Sequence, residues 1–363
     1  MNYFAIKSIE TPSMKSEKHF IFAQILLRIL ATAFTLTAAC ITFKSTQTLI
    51  IFNVETDARY TYSPALKFFV YANVIGCAFS FFSLFLASAL GRTNLHPHKY
   101  FYLFIHDMIM MALLLSACSA AATIGYVGKY GQIRSGWMPI CDSVTKFCQK
   151  MTASVIFSIF GVIFYLCLTI ISAYQSRKIQ YQGRMERFEV KIKHNPSPKT
   201  QKVMLIFQII LRILGFAFCL GAVWRIMTSK QVLFLGFDAR YTYSPSMKFF
   251  AYANIIGCTS SVVSLFLVLI CCYKKHLHSN KYFFYLFLHD LFVFALLVAG
   301  CAAATSIGYV GKYGQKHSGW NPICTFVPKF CHKATLSLTL SYIAIIFYLC
   351  LTIISANQSK THY

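Results

Sequence analysis

Eight stretches of about 20 or more mostly apolar residues divide the chain, at roughly 20–43, 66–90, 101–125, 151–173, 203–227, 247–272, 283–308 and 335–356. At 1.5 Å rise per residue, each is long enough to cross a hydrocarbon core of ~30 Å as a helix. A helix also satisfies its own backbone hydrogen bonds inside lipid, where water cannot. The pattern therefore predicts an all-α membrane protein with eight transmembrane helices. Only 12% of the residues are charged, about half the share of a soluble domain, so the surface could not be covered in water. Residues 1–19 are polar, and the first apolar stretch is too long and lacks a small-residue cleavage site. It is expected to remain as an uncleaved span.

Sliding the chain along itself by about 183 residues superposes two halves. Asp57-Ala58-Arg59-Tyr60-Thr61-Tyr62-Ser63-Pro64 recurs at 238–245, residues 125–132 recur at 308–315, and 164–173 recur at 347–356. The offset is 184 before the first span, 181 in the first loop and 183 from the third span onward, so length changes fall in loops, where they are tolerated. Met1, Phe4, Lys7, Pro12 and Ser13 align with Met185, Phe188, Lys191, Pro196 and Ser197. A second unit with its own tail is what two joined units would leave, whether the joining is a true fusion or two neighbouring reading frames read as one. The expected domains are two tandem four-helix transmembrane bundles, 1–184 with a linker and 185–363. Four spans per unit is an even number, so both units sit the same way up, as parallel repeats.

With the N-terminus inside, the cytoplasmic segments hold 17 Lys/Arg against 15 on the other face. The positive-inside rule thus favours cytoplasmic N- and C-termini, mainly through the 174–202 linker. That linker sets eight basic residues against Glu186 and Glu189, which suits anionic lipid at the inner surface. The net charge of +24 is spread over both faces in loop-sized groups, which excludes a nucleic-acid partner.

Charges well inside the spans are Arg28, Asp107, Arg212 and Asp290, one pair per unit. Arg28 lies about eight residues into the first span and Asp107 about six into the third, so their depths agree within ~3 Å. Either ion alone costs ~2.5–3.5 kcal/mol to insert; two opposite charges at one depth offset that by pairing. An Arg28–Asp107 contact and an Arg212–Asp290 contact are expected, either locking the bundle or lining an ion or proton path. His106 and His289 precede the aspartates, and sequence neighbours do not share a helix face. They are expected to point elsewhere, towards lipid or the interface.

Ala117, Ala121 and Gly125 on the third span, and Gly300, Ala304 and Gly308 on the seventh, repeat at a spacing of four. Such small faces let helix backbones approach closely, and packing within each bundle is expected. Asn73 and Asn254 should find partners inside their bundles for the same reason that backbone groups must. Of 14 cysteines, ten lie in or beside apolar spans as small packing groups. The others form Cys141-x6-Cys148 and Cys324-x6-Cys331. With the termini inside, both loops face the exterior, where disulfides persist, and one bridge within each loop is expected. Zinc needs four ligands and fits this spacing poorly.

Together these residues resemble a known family. The set is Arg28, then Ala65-Leu66-Lys67-Phe68-Phe69-Val70-Tyr71-Ala72-Asn73, Asp107, Ser119-Ala120-Ala121, Tyr126, Gly128, Gly131, Trp137, Ile140-Cys141 and Phe147-Cys148. It is similar to the plant Casparian strip membrane domain proteins and their like proteins, MARVEL-like tetraspans, over nearly all of both copies. The resemblance implies a plasma-membrane protein that self-associates as homo- and hetero-oligomers. Strip-forming members build a dense membrane platform and recruit cell-wall-modifying enzymes. Its intramembrane Arg and Asp fall on Arg28/Asp107 and Arg212/Asp290, and its paired loop cysteines on the two loops above. The chain departs from the pattern at 246–251, in its doubled length, and in a first loop without a Leu-Pro-Phe-Phe-like stretch. These departures favour a like protein over a strip-forming one.

No polar cluster combines a nucleophile, a base and an anion-stabilising group, so a non-enzymatic scaffold without cofactor is expected. Its partners would be related copies, membrane lipid and wall enzymes. The alternative is a channel or transporter with a path along the Arg/Asp pairs.

Overall fold

The structure, a computed structural model, describes residues 13–51, 54–90, 97–188, 198–232, 238–273 and 280–358. Eight long helices run α1 Ser13–Phe43, α2 Pro64–Leu90, α3 Pro97–Tyr130, α4 Thr145–Phe188, α5 Pro198–Met227, α6 Pro245–Tyr273, α7 Asn280–Tyr313 and α8 Pro328–Gln358. All eight are long and apolar enough to span a membrane. Five of them begin on proline, whose fixed φ suits the first helical position and whose missing N–H is not needed there. After α3 and α7 the chain turns on Gly131 (φ 68°) and Gly314 (φ 70°), a left-handed stop that glycine adopts without a Cβ clash.

Within each half, α1 packs on α2 and α4, and α3 on α2 and α4; α5 to α8 repeat the arrangement. Phe69, Met108, Met111, Leu114, Tyr165 and Leu168 fill the first core, and Leu297, Tyr348 and Leu351 stand in the second. Outside, Phe22, Phe82, Phe85 and Phe292 are each at least 60% exposed. A soluble protein does not expose aromatic groups this way; a lipid-facing one does.

The two halves dock through α3 against α7. Ile124, Val127 and Trp137 share one buried cluster with Ile307, Val310 and Trp320. Phe104 meets Phe287 at 5.7 Å between ring centroids and Trp137 stacks on Trp320 at 6.1 Å. Each is a contact between equivalent residues of the repeat, so a pseudo-two-fold axis passes between them.

Two short antiparallel hairpins lie outside the expected all-helical pattern: β1 Thr46–Ile51 with β2 Val54–Arg59, and β3 Lys230–Val232 with β4 Asp238–Arg240. Each is tied by a glutamine to the start of the last long helix of its half, α4 or α8. Gln47 Oε1 accepts the Phe147 backbone N–H at 2.9 Å and Gln231 Oε1 that of Phe330 at 3.0 Å, two donors that a helix N-terminus leaves unsatisfied. Helix α4 continues to Phe188, well past the apolar stretch, because hydropathy marks the lipid-crossing part of a helix and not its end. The 184/185 division therefore falls inside α4, and residues 189–197 of the basic linker lie outside the described residues, as do the tail positions 1–12.

Candidate functional site

The structure places Arg28 against Asp107 in a bidentate pair, Nη1 to Oδ1 and Nη2 to Oδ2, each 2.9 Å. Both side chains are fully buried. Ser83 on α2 accepts a bond from Arg28 Nη1 at 2.9 Å, and Ser172 on α4 donates to Asp107 Oδ2 at 2.9 Å. One ion pair thus ties all four helices of its bundle. Arg212, Ser264, Asp290 and Ser355 repeat the arrangement at 2.7 to 2.9 Å. Among the described residues, the buried guanidinium nitrogens left without a protein acceptor are Arg28 Nε and Arg212 Nε.

The histidines correct the expectation. His106 Nδ1 lies 3.2 Å from Asp107 Oδ1, and His289 Nδ1 3.4 Å from Asp290 Oδ1. Successive positions do leave a helix in different directions, but an imidazole is long enough to fold back onto its neighbour's carboxylate. Both rings remain partly exposed.

Asn73 donates to Phe69 O and accepts from Ser158, each at 2.8 Å. Asn254 donates to Phe250 O at 2.9 Å, but its Oδ1 has no partner; Ser341, the counterpart of Ser158, accepts from the Cys301 thiol at 3.1 Å, as Ser158 does from Cys118 at 3.2 Å. Tyr165 and Tyr348 reach the Gly76 and Gly257 carbonyls at 2.8 and 2.7 Å. These serines and tyrosines were not marked from sequence, where hydroxyls inside apolar spans are too common to stand out.

Of the small residues, Ala117, Ala121 and Ala304 are buried. A Cβ on Gly300 would meet Ala253 Cβ at 2.9 Å, so Gly300 lets α7 approach α6. Gly125 and Gly308 do not pack: a Cβ on either meets nothing within 4 Å. Eight residues rotate a helix by ~80° beyond two full turns, which carries the third small residue off the face. The seam between halves uses a neighbouring stripe, where Ser306 donates to Ala120 O at 3.1 Å.

At the opposite end of the bundles from the ion pairs, Cys141–Cys148 and Cys324–Cys331 are bonded, with Cα atoms 5.7 Å apart in each. Gly128 O accepts the Ile140 and Cys141 N–H groups at 2.8 and 3.0 Å, and Gly311 O those of Ile323 and Cys324, which folds each loop back onto α3 or α7. Here the halves exchange bonds reciprocally. Trp137 Nε1 donates to Asn321 O and Trp320 Nε1 to Met138 O, both 2.9 Å. Arg134 sits 4.9 Å over the Tyr243 ring and His317 stacks on Tyr62 at 3.7 Å. Tyr62 also donates to Asp57 at 2.5 Å, and Tyr243 to Asp238 at 2.6 Å. The Tyr62 hydroxyl holds the Asp57 carboxyl below its ordinary value, burial opposes it, and Arg59 adds to it. Tyr243 does the same to Asp238.

The model of the Casparian strip membrane protein domain matches residues 17–164 and again 201–347. The chain is similar to a CASP-like protein 1F1 of Vitis vinifera, 44% identical over 47% of this chain and 83% of that protein. It is also similar to CASP-like protein 1F1 of Ricinus communis, 48% identical over 46% of this chain and 93% of the relative. A third, CASP-like protein 1F1 of Populus trichocarpa, is 46% identical over 48% and 98%. Each relative is thus matched nearly whole by about half of this chain. No solved structure matches.

Proposed function

Starting from the Casparian strip membrane protein domain family, to which this chain belongs in both its halves, we propose that it is a non-enzymatic plasma-membrane scaffold of plant cells. The protein is a multi-pass membrane protein of tandem family domains. In the proposed orientation both termini are cytoplasmic, and the disulfide-tied loops face the exterior and the wall. Lateral self-association and the placing of wall-modifying enzymes are the roles assigned to it.

The observation that carries this reading is the saturation of the ion pairs. Both oxygens of Asp107 are engaged by Arg28, and the remaining capacity by Ser172 and His106. A carboxylate so fully bonded serves to fix four helices in one arrangement; an ion or proton path calls for groups free to exchange partners. Rigid bundles joined through α3 and α7, with a wide apolar exterior, suit a platform. Photobleaching of the full-length chain in plant cells tests it: slow, cluster-limited recovery is expected, and free diffusion as single chains would reject the scaffold.

A further inference from the structure

A lipid-facing slot lies on one side of the seam between the halves, towards the disulfide end. Its volume is about 360 Å³, with walls from α2, α3, α7 and α8. Exposed Phe68, Tyr309 and Tyr342 flank its mouth. The lining on α7 runs from Val298 to Val310, ~18 Å of helix, close to the ~15 Å of half a hydrocarbon core. That length suits a lipid of a single leaflet.

Two features select that lipid's chemistry. Among the described residues the lining carries no charged side chain, so nothing there balances a phosphate or ammonium head. At the membrane-surface end, Ser63 is 2% exposed and its Oγ has no hydrogen-bond partner, an orphan that is costly away from water. On the facing wall the Thr305 and Tyr342 hydroxyls bond each other at 2.7 Å. Across the pseudo-two-fold axis the same place is bridged. Ser246 stands where this side has Ala65, and it donates to Thr123 at 3.2 Å; Ala122 and Ile159 replace Thr305 and Tyr342. Divergence of the two halves, rather than the repeat itself, made the slot.

We propose that this slot binds a sterol, a rigid and uncharged lipid with one hydroxyl. The hydroxyl meets Ser63, and the flat ring system lies over the small lining residues Ala120 and Ala302. The proposal depends on the membrane fold alone and not on the scaffold role.

The test uses the full chain in phosphatidylcholine nanodiscs containing a diazirine-bearing sterol, with cross-linked peptides mapped by mass spectrometry. Label is expected on the α2, α3 or α7 segments of the slot and should be displaced by unlabelled sterol. It should fall several-fold in Ala302→Phe, which fills the slot, and in Ala65→Ser, which copies the bridged side. Ser63→Ala, a conservative change, should weaken labelling without altering elution on size exclusion. Label spread over the whole lipid-facing surface, unchanged in these variants, or displaced equally by a single-chain fatty acid would overturn the proposal.

Discussion

Asp107 sits where water cannot reach it, and every hydrogen bond it accepts comes from protein. Removing one member of such a pair leaves an uncompensated charge, at a cost of ~3–5 kcal/mol, whereas replacing both by apolar groups is often neutral. Asp107→Ala is therefore expected to abolish a monodisperse folded protein in detergent, read by fluorescence-detected size exclusion. Arg28→Met with Asp107→Leu should restore much of it. A double variant no better than the single one would mean that the pair does more than hold helices together. At the membrane surface, Asp57 has a folded-state pKa below the ordinary 3.8. Its contribution is thus complete above that value and is lost as pH falls through the lower, folded one. Carboxyl-carbon NMR of labelled protein should place the Asp57 midpoint below 3.8, and Tyr62→Phe should move it back up.

Single elements are stopped and joined by a few positions whose geometry allows little choice. Gly131 has φ 68°, and a Cβ there would lie 2.8 Å from Trp137 O. Gly131→Ala should therefore strain the turn that leads from α3 into the loop holding Cys141 and Cys148 by ~1–3 kcal/mol. Less of that disulfide is expected, measured by thiol alkylation before reduction. Gly125→Ala is the contrast: nothing lies near its Cβ, and alanine favours a helix by ~1 kcal/mol over glycine, so it should be neutral to stabilising. The hairpins show where element-level reading ended. Strands of three to six residues in a loop carry too weak a signal to separate from coil, and the anchor of the first, Gln47 on Phe147, joins residues a hundred positions apart.

Across the whole molecule, each half presents α3 or α7 to the other and each indole N–H crosses the seam. This geometry predicts that residues 1–188 and 189–363, separated after the end of α4 and expressed as separate chains in one membrane, assemble with each other and co-purify. A typical hydrogen bond contributes ~1 kcal/mol net, so Trp137→Phe with Trp320→Phe should reduce co-purification by several-fold and preserve each half's own fold. Halves that fail to associate would show that the linker, and not the seam, keeps them together.

What the residues settled alone was the number of spans and the depth of a residue along one. Length and hydropathy decide how many helices are able to cross, the repeat decides that there are two like bundles, and depth along a span decides which buried charges stand level. Depth is a single coordinate, and 1.5 Å per residue converts sequence into it directly. Direction around a helix needs a second coordinate, set only when neighbours pack. So Ser83 and Ser172 joining the ion pair, His106 turning onto Asp107, Gly125 falling off the packed face, and the α3–α7 seam with its lipid slot were decided by the tertiary structure.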